Sequence, residues 1–227
     1  MHEFTERAAL AKALSDYIGA ALAARVARDG MASLAVSGGR TPTDFFEELS
    51  TRDLPWEKIA ITLVDERWVR ETSDRSNAAL VRHHLLRNRA AAAKFVPLAN
   101  DAPTPEAGLF AVNEALEDLS WPLAAAVLGM GDDGHTASFF PSGDHLDEAI
   151  DPDGSLGLIP MHAPAAGEPR ITLTLPVLLS ADALALHIEG EGKRTVLAKA
   201  RGEGPATEMP IRAVLRAPRP LDIFWAP

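Results

Sequence analysis

The sequence predicts an α/β fold, a Rossmann-like and mainly parallel sheet with helices on both faces, in a single domain spanning residues 1–227. Two observations carry this expectation. Short apolar runs alternate with amphipathic helical segments over most of the chain, and that alternation gives a parallel sheet. Glycine-rich turns join several of the apolar runs to helix starts, as in βαβ units. No internal repeat, low-complexity tract or convincing linker breaks the pattern.

The elements follow in order. Phe4, Ala8, Ala11, Leu14, Ile18, Leu22 and Val26 recur at steps of three and four, which is one apolar helix face, and Gly30 is a plausible stop. Ala32 to Val36 reads as a buried strand, followed by Ser37-Gly38-Gly39. Thr41 and Pro42 are expected at the N-cap and first position of a second helix. Ile59 to Val64 is a second buried strand, ending in Asp65-Glu66-Arg67. A polar loop from Arg70 to Arg75 leads into a helix through Asn77, Leu80, His84 and Leu85. Lys94 to Leu98 reads as a short strand, Pro103 to Leu119 as a helix and Leu123 to Leu128 as a strand. Asp144 to Pro169 is rich in Pro, Gly and acids and is expected to form loops and short elements over the site. Ile171 to Leu175 alternates as a strand does, and Ala183 to Ile188 is another strand. A helix follows from Gly190 to Ala200, a short one from Pro210 to Leu215, and a last strand from Leu221 to Trp225.

Composition excludes several classes of function. A net charge of −10 argues against general nucleic-acid binding and against docking on anionic membranes, though local cations still suit an anionic small molecule. The absence of cysteine removes disulfides, thiolate catalysis and cysteine-rich zinc sites. The charged N-terminus does not read as a signal peptide, and no apolar run approaches the roughly 20 residues of a membrane span, so a cytoplasmic location is expected.

The chemistry concentrates in Gly129-Met130-Gly131-Asp132-Asp133-Gly134-His135, directly after a strand. Ligands of parallel sheets bind at that position, and a histidine there suits proton transfer near neutral pH. His135 and Asp133 are therefore the candidate catalytic residues, with Asp133 placed to fix the loop or the imidazole tautomer. Ser37, Gly38, Gly39, Arg40 and Thr41 form a turn whose backbone N–H groups and hydroxyls suit a phosphate or carboxylate. It lacks the P-loop ending and the dinucleotide spacing, so ATP and NAD are not indicated. At the end of the second strand, Arg67 suits a bidentate phosphate contact, and Asp65 or Glu66 suits a hydroxyl or a base. Lys193, after Gly190-Glu191-Gly192, brings a further cation to a helix start, and Arg170 brings another. The remaining histidines show no metal-ligand spacing, and no Gly-x-Ser-x-Gly elbow is present.

Taken together, Ser37 to Pro42, Asp65 to Arg67, Ser76-Asn77 before Leu80, Gly129 to Pro141, Arg170 to Pro176 and Gly190 to Lys193 resemble the 6-phosphogluconolactonase family. The resemblance covers most of the chain, and Gly129–Pro141 is its specific part. It implies hydrolysis of 6-phospho-D-glucono-1,5-lactone to 6-phospho-D-gluconate in the oxidative pentose phosphate pathway, without metal or organic cofactor. His135 would be the general base. The Ser37–Gly39 backbone, Arg67 and Lys193 would form the phosphate end, with Asn77 among the binding residues and Arg170 as an accessory cation. The implied partner is the small phosphorylated sugar lactone, and the implied assembly a monomer or homodimer. Glucosamine-6-phosphate deaminases share this fold, but in them a glutamate follows the loop histidine by five positions, where this chain has Phe140. The alternatives are a sugar-phosphate isomerase or deaminase and a non-catalytic sugar-phosphate sensor. Family members often carry an acidic residue after the last tryptophan-containing strand, whereas this chain ends Trp225-Ala226-Pro227.

Overall fold

A computed structural model describes residues Met1 to Pro227. The chain opens with β1 (His2–Glu3), α1 (Arg7–Asp29), β2 (Ala32–Val36), α2 (Thr43–Ser50) and β3 (Ile59–Leu63). It continues through β4 (Asp65–Arg67), α3 (Asn77–His84), β5 (Lys94–Phe95), α4 (Pro105–Leu116) and β6 (Ala125–Leu128). The second half holds α5 (Leu146–Ala149), β7 (Leu158–Met161), β8 (Arg170–Leu173), α6 (Leu175–Leu179) and β9 (Ala183–Glu189). It closes with α7 (Glu191–Ala200), α8 (Ile211–Leu215) and β10 (Asp222–Ala226).

Seven strands form one sheet in the order β1-β10-β9-β6-β2-β3-β5, and every neighbouring pair is parallel. Every residue of β2, β3 and β6 is buried. Successive strand side chains point to opposite faces, so both faces of the sheet are covered. Leu10, Leu14, Ile18 and Leu22 of α1 supply part of that cover, and Gly30, at φ 84°, ends the helix with its N–H on the Val26 carbonyl.

From β2 the chain builds outward through β3 and β5, then returns to lay β6, β9 and β10 on the other side of β2. The order therefore reverses between β2 and β6, and the crevice beyond the carboxyl ends of such a pair is where ligands of open α/β sheets bind. A second sheet, β4-β8-β7, is antiparallel and pairs Asp65 with Thr172 and Arg67 with Arg170. Its buried residues, among them Leu158, Ile171 and Leu173, belong to the same hydrophobic cluster as the large sheet.

Local rules moved several boundaries. Thr41 does not cap α2, because that helix begins at Thr43 behind Pro42 and has no side-chain cap. Of Lys94 to Leu98 only Lys94 and Phe95 form a strand; the Val96 N–H still reaches the Ile61 carbonyl, but the Val96 carbonyl is taken by the Thr62 hydroxyl. The strand expected over Ile171 to Leu175 is β8, which starts at Arg170 and stops at Leu173, and α6 takes Leu175 with Pro176 in its first turn. Thr104, rather than Pro103, leads α4, accepting from the Ala107 N–H. The missing acid after the last strand costs that strand no pairing, for β10 remains in register with β9 as far as Ala226. No helix is long and apolar enough to cross a membrane.

Candidate active site

Loops after β2 and β6 meet at the reversal point. Ser37 donates its backbone N–H to the Val127 carbonyl at 3.0 Å, which joins the two strand ends. Beyond β6 the loop is fastened on itself. The Thr136 hydroxyl donates to the Gly129 carbonyl at 2.8 Å, and the Gly131 N–H donates to the His135 carbonyl at 2.8 Å. Gly134 sits at φ 80°, and its carbonyl accepts the Ile211 N–H of α8.

His135 is held by Asp133. Asp133 Oδ1 lies 2.6 Å from His135 Nδ1 and also accepts the His135 backbone N–H at 3.0 Å. Accepting from the imidazole and the backbone draws the Asp133 carboxyl down to about 2. That lies below the roughly 3.9 of an unfolded aspartate, so the stabilisation from this pairing is complete above about pH 4 and lost as pH falls through about 2. The Phe140 ring packs against the imidazole, with centroids 4.4 Å apart.

Gly131 is required by the imidazole itself. A Cβ there would stand 2.2 Å from His135 Cε1 and Nδ1. Gly131→Ala is therefore expected to displace the ring and lower kcat by about 100-fold, a loss of the size that misplacement by about 1 Å produces. A rate within threefold of wild type would mean that the ring is not held where this geometry puts it.

A second group is organised from β4. Glu66 is buried and turned away from the cavity, where it accepts the N–H groups of Arg67, Asn77 and Ala78 and the Ser76 hydroxyl. Burial pushes the Glu66 carboxyl up, and those three N–H groups oppose it. Glu66 thus fastens the first turn of α3 rather than serving substrate. Glu66→Ala would strand three buried donors and is expected to cost about 3 kcal/mol in urea denaturation. An unchanged midpoint would refute this role.

With α3 fixed, Asn77 reaches back. Its Nδ2 donates to the Asp65 carbonyl at 2.9 Å, and its Oδ1 accepts from Arg67 Nη1 at 2.8 Å. Gly38 packs so closely on this amide that a Cβ would lie 1.8 Å from Asn77 Oδ1. The N–H groups of Gly38 and Gly39 have no partner within the chain, which leaves them for an anion.

These groups line one cavity of about 340 Å³. Ser37, Gly38, Gly39, Thr41, Asp65, Arg67, Asn77, His135, Arg170 and Lys193 all contribute to its wall. Asp133 stands behind His135, and Arg40 is exposed on the rim, lining a neighbouring recess with Thr43 and Asp74. Lys193 reaches from the first turn of α7 to Asp132 Oδ1 at 2.7 Å. Asp65 accepts from the Ser138 hydroxyl at 2.5 Å and lies 3.7 Å from Arg170. The Arg170 guanidinium sits 5.2 Å over the Phe140 ring and donates to the Ala166 carbonyl, and burial draws its pKa down.

Three of the four buried side-chain nitrogens or oxygens without a hydrogen-bond partner belong to this wall: Arg67 Nε, Arg170 Nε and His187 Nδ1. Folded proteins rarely leave such groups unpaired, so their concentration on one wall makes this cavity the candidate ligand site. No group of three or more His, Asp or Glu side chains is arranged to hold a metal ion.

Sequence reasoning missed Arg75, His187, Phe140 as a wall residue and the Ala165-Ala166 edge. Arg75 is ion-paired to Glu168 and so ties the loop before α3 to the loop before β8. Nothing in its polar loop signalled that. Of the 144–169 segment, only Ala165 and Ala166 reach the cavity, and the segment also contains α5 and β7.

Comparison with known proteins agrees with this arrangement. The family model described as glucosamine-6-phosphate isomerases/6-phosphogluconolactonase matches residues 5–225. A 6-phosphogluconolactonase of Rhizobium meliloti is 54% identical over 100% of this chain and 98% of its own length. One from Mesorhizobium japonicum is 52% identical over 99% of this chain and 94% of its own. The crystal structure of a 6-phosphogluconolactonase from Shewanella baltica superposes with a TM-score of 0.96 at 40% identity, covering 100% of this chain and 97% of that one. By the extent of the match and by the level of identity, the chain belongs to the glucosamine-6-phosphate isomerase/6-phosphogluconolactonase family.

Proposed function

We propose that this chain hydrolyses 6-phospho-D-glucono-1,5-lactone to 6-phospho-D-gluconate, with His135 as general base, and serves the oxidative pentose phosphate pathway. The observation that carries the reading is the Asp133–His135 pair on the same cavity as Arg67, Arg170, Lys193 and the unpaired Gly38 and Gly39 N–H groups. A base and an anion cradle on one wall suit a substrate that is reactive at one end and phosphorylated at the other.

The base assignment follows from the pair. With its pKa near 2, Asp133 is a carboxylate and only accepts. His135 Nδ1 therefore carries the hydrogen, and Nε2 keeps its lone pair for water. Water attacks the lactone carbonyl carbon while Nε2 takes its proton. The same proton passes to the ring oxygen as the C–O bond breaks, which leaves the open acid. General acid–base catalysis of this kind contributes about 10²- to 10⁴-fold. Binding of the distant phosphate positions the reacting carbon and so supplies orientation from a group that does not react.

Phe140 bears on the choice within the family. It places an aromatic ring, not a carboxylate, against His135, so a deaminase-like proton shuttle would lack an acid there. The test is to follow freshly generated lactone, corrected for spontaneous opening, alongside a titration with 6-phosphogluconate. Accelerated opening together with saturable product binding is expected. Binding without acceleration would make the chain a sensor.

A further inference from the structure

We propose that His187 contacts the substrate and selects for a sugar hydroxyl, accepting a hydrogen bond from it through Nδ1. The inference rests on the lactonase reading and deepens it.

His187 is in β9, on a strand whose other residues are apolar apart from Glu189. It lines the cavity and is only 3% exposed. Its Nε2 lies 3.1 Å from Glu189 Oε1, and the other Glu189 oxygen lies 3.3 Å from Arg7 Nη1. A carboxylate only accepts, so the Nε2 side of the ring carries the hydrogen. In the neutral imidazole Nδ1 is then a bare acceptor, and it is buried with no partner in the chain. The ring packs edge-on to Phe45 at 6.2 Å, which fixes its plane.

The chemistry of the unpaired atoms separates ligand classes. Arg67 Nε and Arg170 Nε are donors and ask for anionic oxygen. His187 Nδ1 is the acceptor among them and asks for a donor. A phosphate alone satisfies the first two and leaves the third bare. A polyhydroxylated sugar phosphate satisfies all three. The pair His187–Glu189 is thus a second imidazole–carboxylate pair on the wall, but it serves recognition rather than proton transfer.

The test compares 6-phosphogluconolactone with its three monodeoxy analogues, lacking the hydroxyl at C2, C3 or C4. In wild type, at least one analogue is expected to lose about tenfold in kcat/KM. His187→Gln places its amide near the Nε2 position, which keeps the Glu189 contact and empties the Nδ1 position. It should bring that ratio to within twofold of unity. His187→Asn places its amide near Nδ1 and should retain most of the discrimination. A purely structural histidine would change the rates on all four lactones together and leave the ratios alone. Discrimination unchanged in a folded His187→Gln variant, or wild-type rates equal within twofold on all four lactones, overturns the inference while leaving the lactonase reading intact. If both variants fail to fold by circular dichroism, the wild-type ratios decide. Absence of any wild-type hydrolysis of the parent lactone overturns both.

Discussion

His135→Ala is expected to lower kcat on 6-phosphogluconolactone by about 10²- to 10⁴-fold, the range of a lost general base. Binding of 6-phosphogluconate should stay within about threefold of wild type. The separation follows from the architecture. The groups proposed to meet the phosphate come from the turn after β2, from β4 and from α7, whereas the imidazole comes from the loop after β6. Removing the ring leaves the cations and the Gly38 and Gly39 donors in place. The loop is also held by contacts that do not involve the ring, including Thr136 to Gly129 and Ile211 to Gly134. Thermal denaturation should therefore be little changed. Near-wild-type turnover by a folded His135→Ala variant would remove His135 from the mechanism.

Arg67→Ala is expected to raise KM by about 10- to 100-fold, the equivalent of one or two charge-assisted hydrogen bonds. Arg67 leans on the Arg75 carbonyl and on Asn77 Oδ1 through Nη1, and its Nε is left without a partner. The guanidinium is thus oriented by the chain and unfinished on one edge. Loss of the side chain also removes one of the two hydrogen bonds that hold the Asn77 amide against Gly38, so part of the effect reaches the anion cradle through that residue. The effect should appear in KM and in 6-phosphogluconate affinity more than in kcat. A variant with wild-type KM would place the phosphate elsewhere.

The centre of the large sheet was legible because its strands are short, mostly apolar runs, interrupted only by Ser33 in β2 and Thr62 in β3. Ala32 to Val36 and Ile59 to Leu63 are buried at every position, and that pattern needs no tertiary information. Of the small sheet only β8 was legible, from the alternation of Ile171 to Leu175. Residues Asp65–Arg67 carry three charged side chains and no apolar period, and they form a strand only because the backbone of β8 pairs with them. Leu158–Met161 includes Pro160 and lies in a tract that reads as loop.

The candidate site divides in the same way. His135, Lys193 and the Ser37 turn stand in glycine-rich segments at strand ends, where chemistry is expected from position alone. Glu66 and Asp65 are adjacent and chemically alike, yet one fastens α3 and the other faces the cavity. Strand alternation separates them, and recognising it required knowing that the segment is a strand. His187 lies in the strand read over Ala183 to Ile188 and shows no metal-ligand spacing, so the sequence does not single it out. Only burial together with an unpaired nitrogen on the cavity wall sets it apart.

The most direct measurement of the central claim is a pair of assays on the purified wild-type chain, one with 6-phosphogluconolactone and one with glucosamine 6-phosphate. The account predicts fast opening of the lactone above its spontaneous rate and no release of ammonia from the amino sugar. Ammonia release without lactone opening would contradict it.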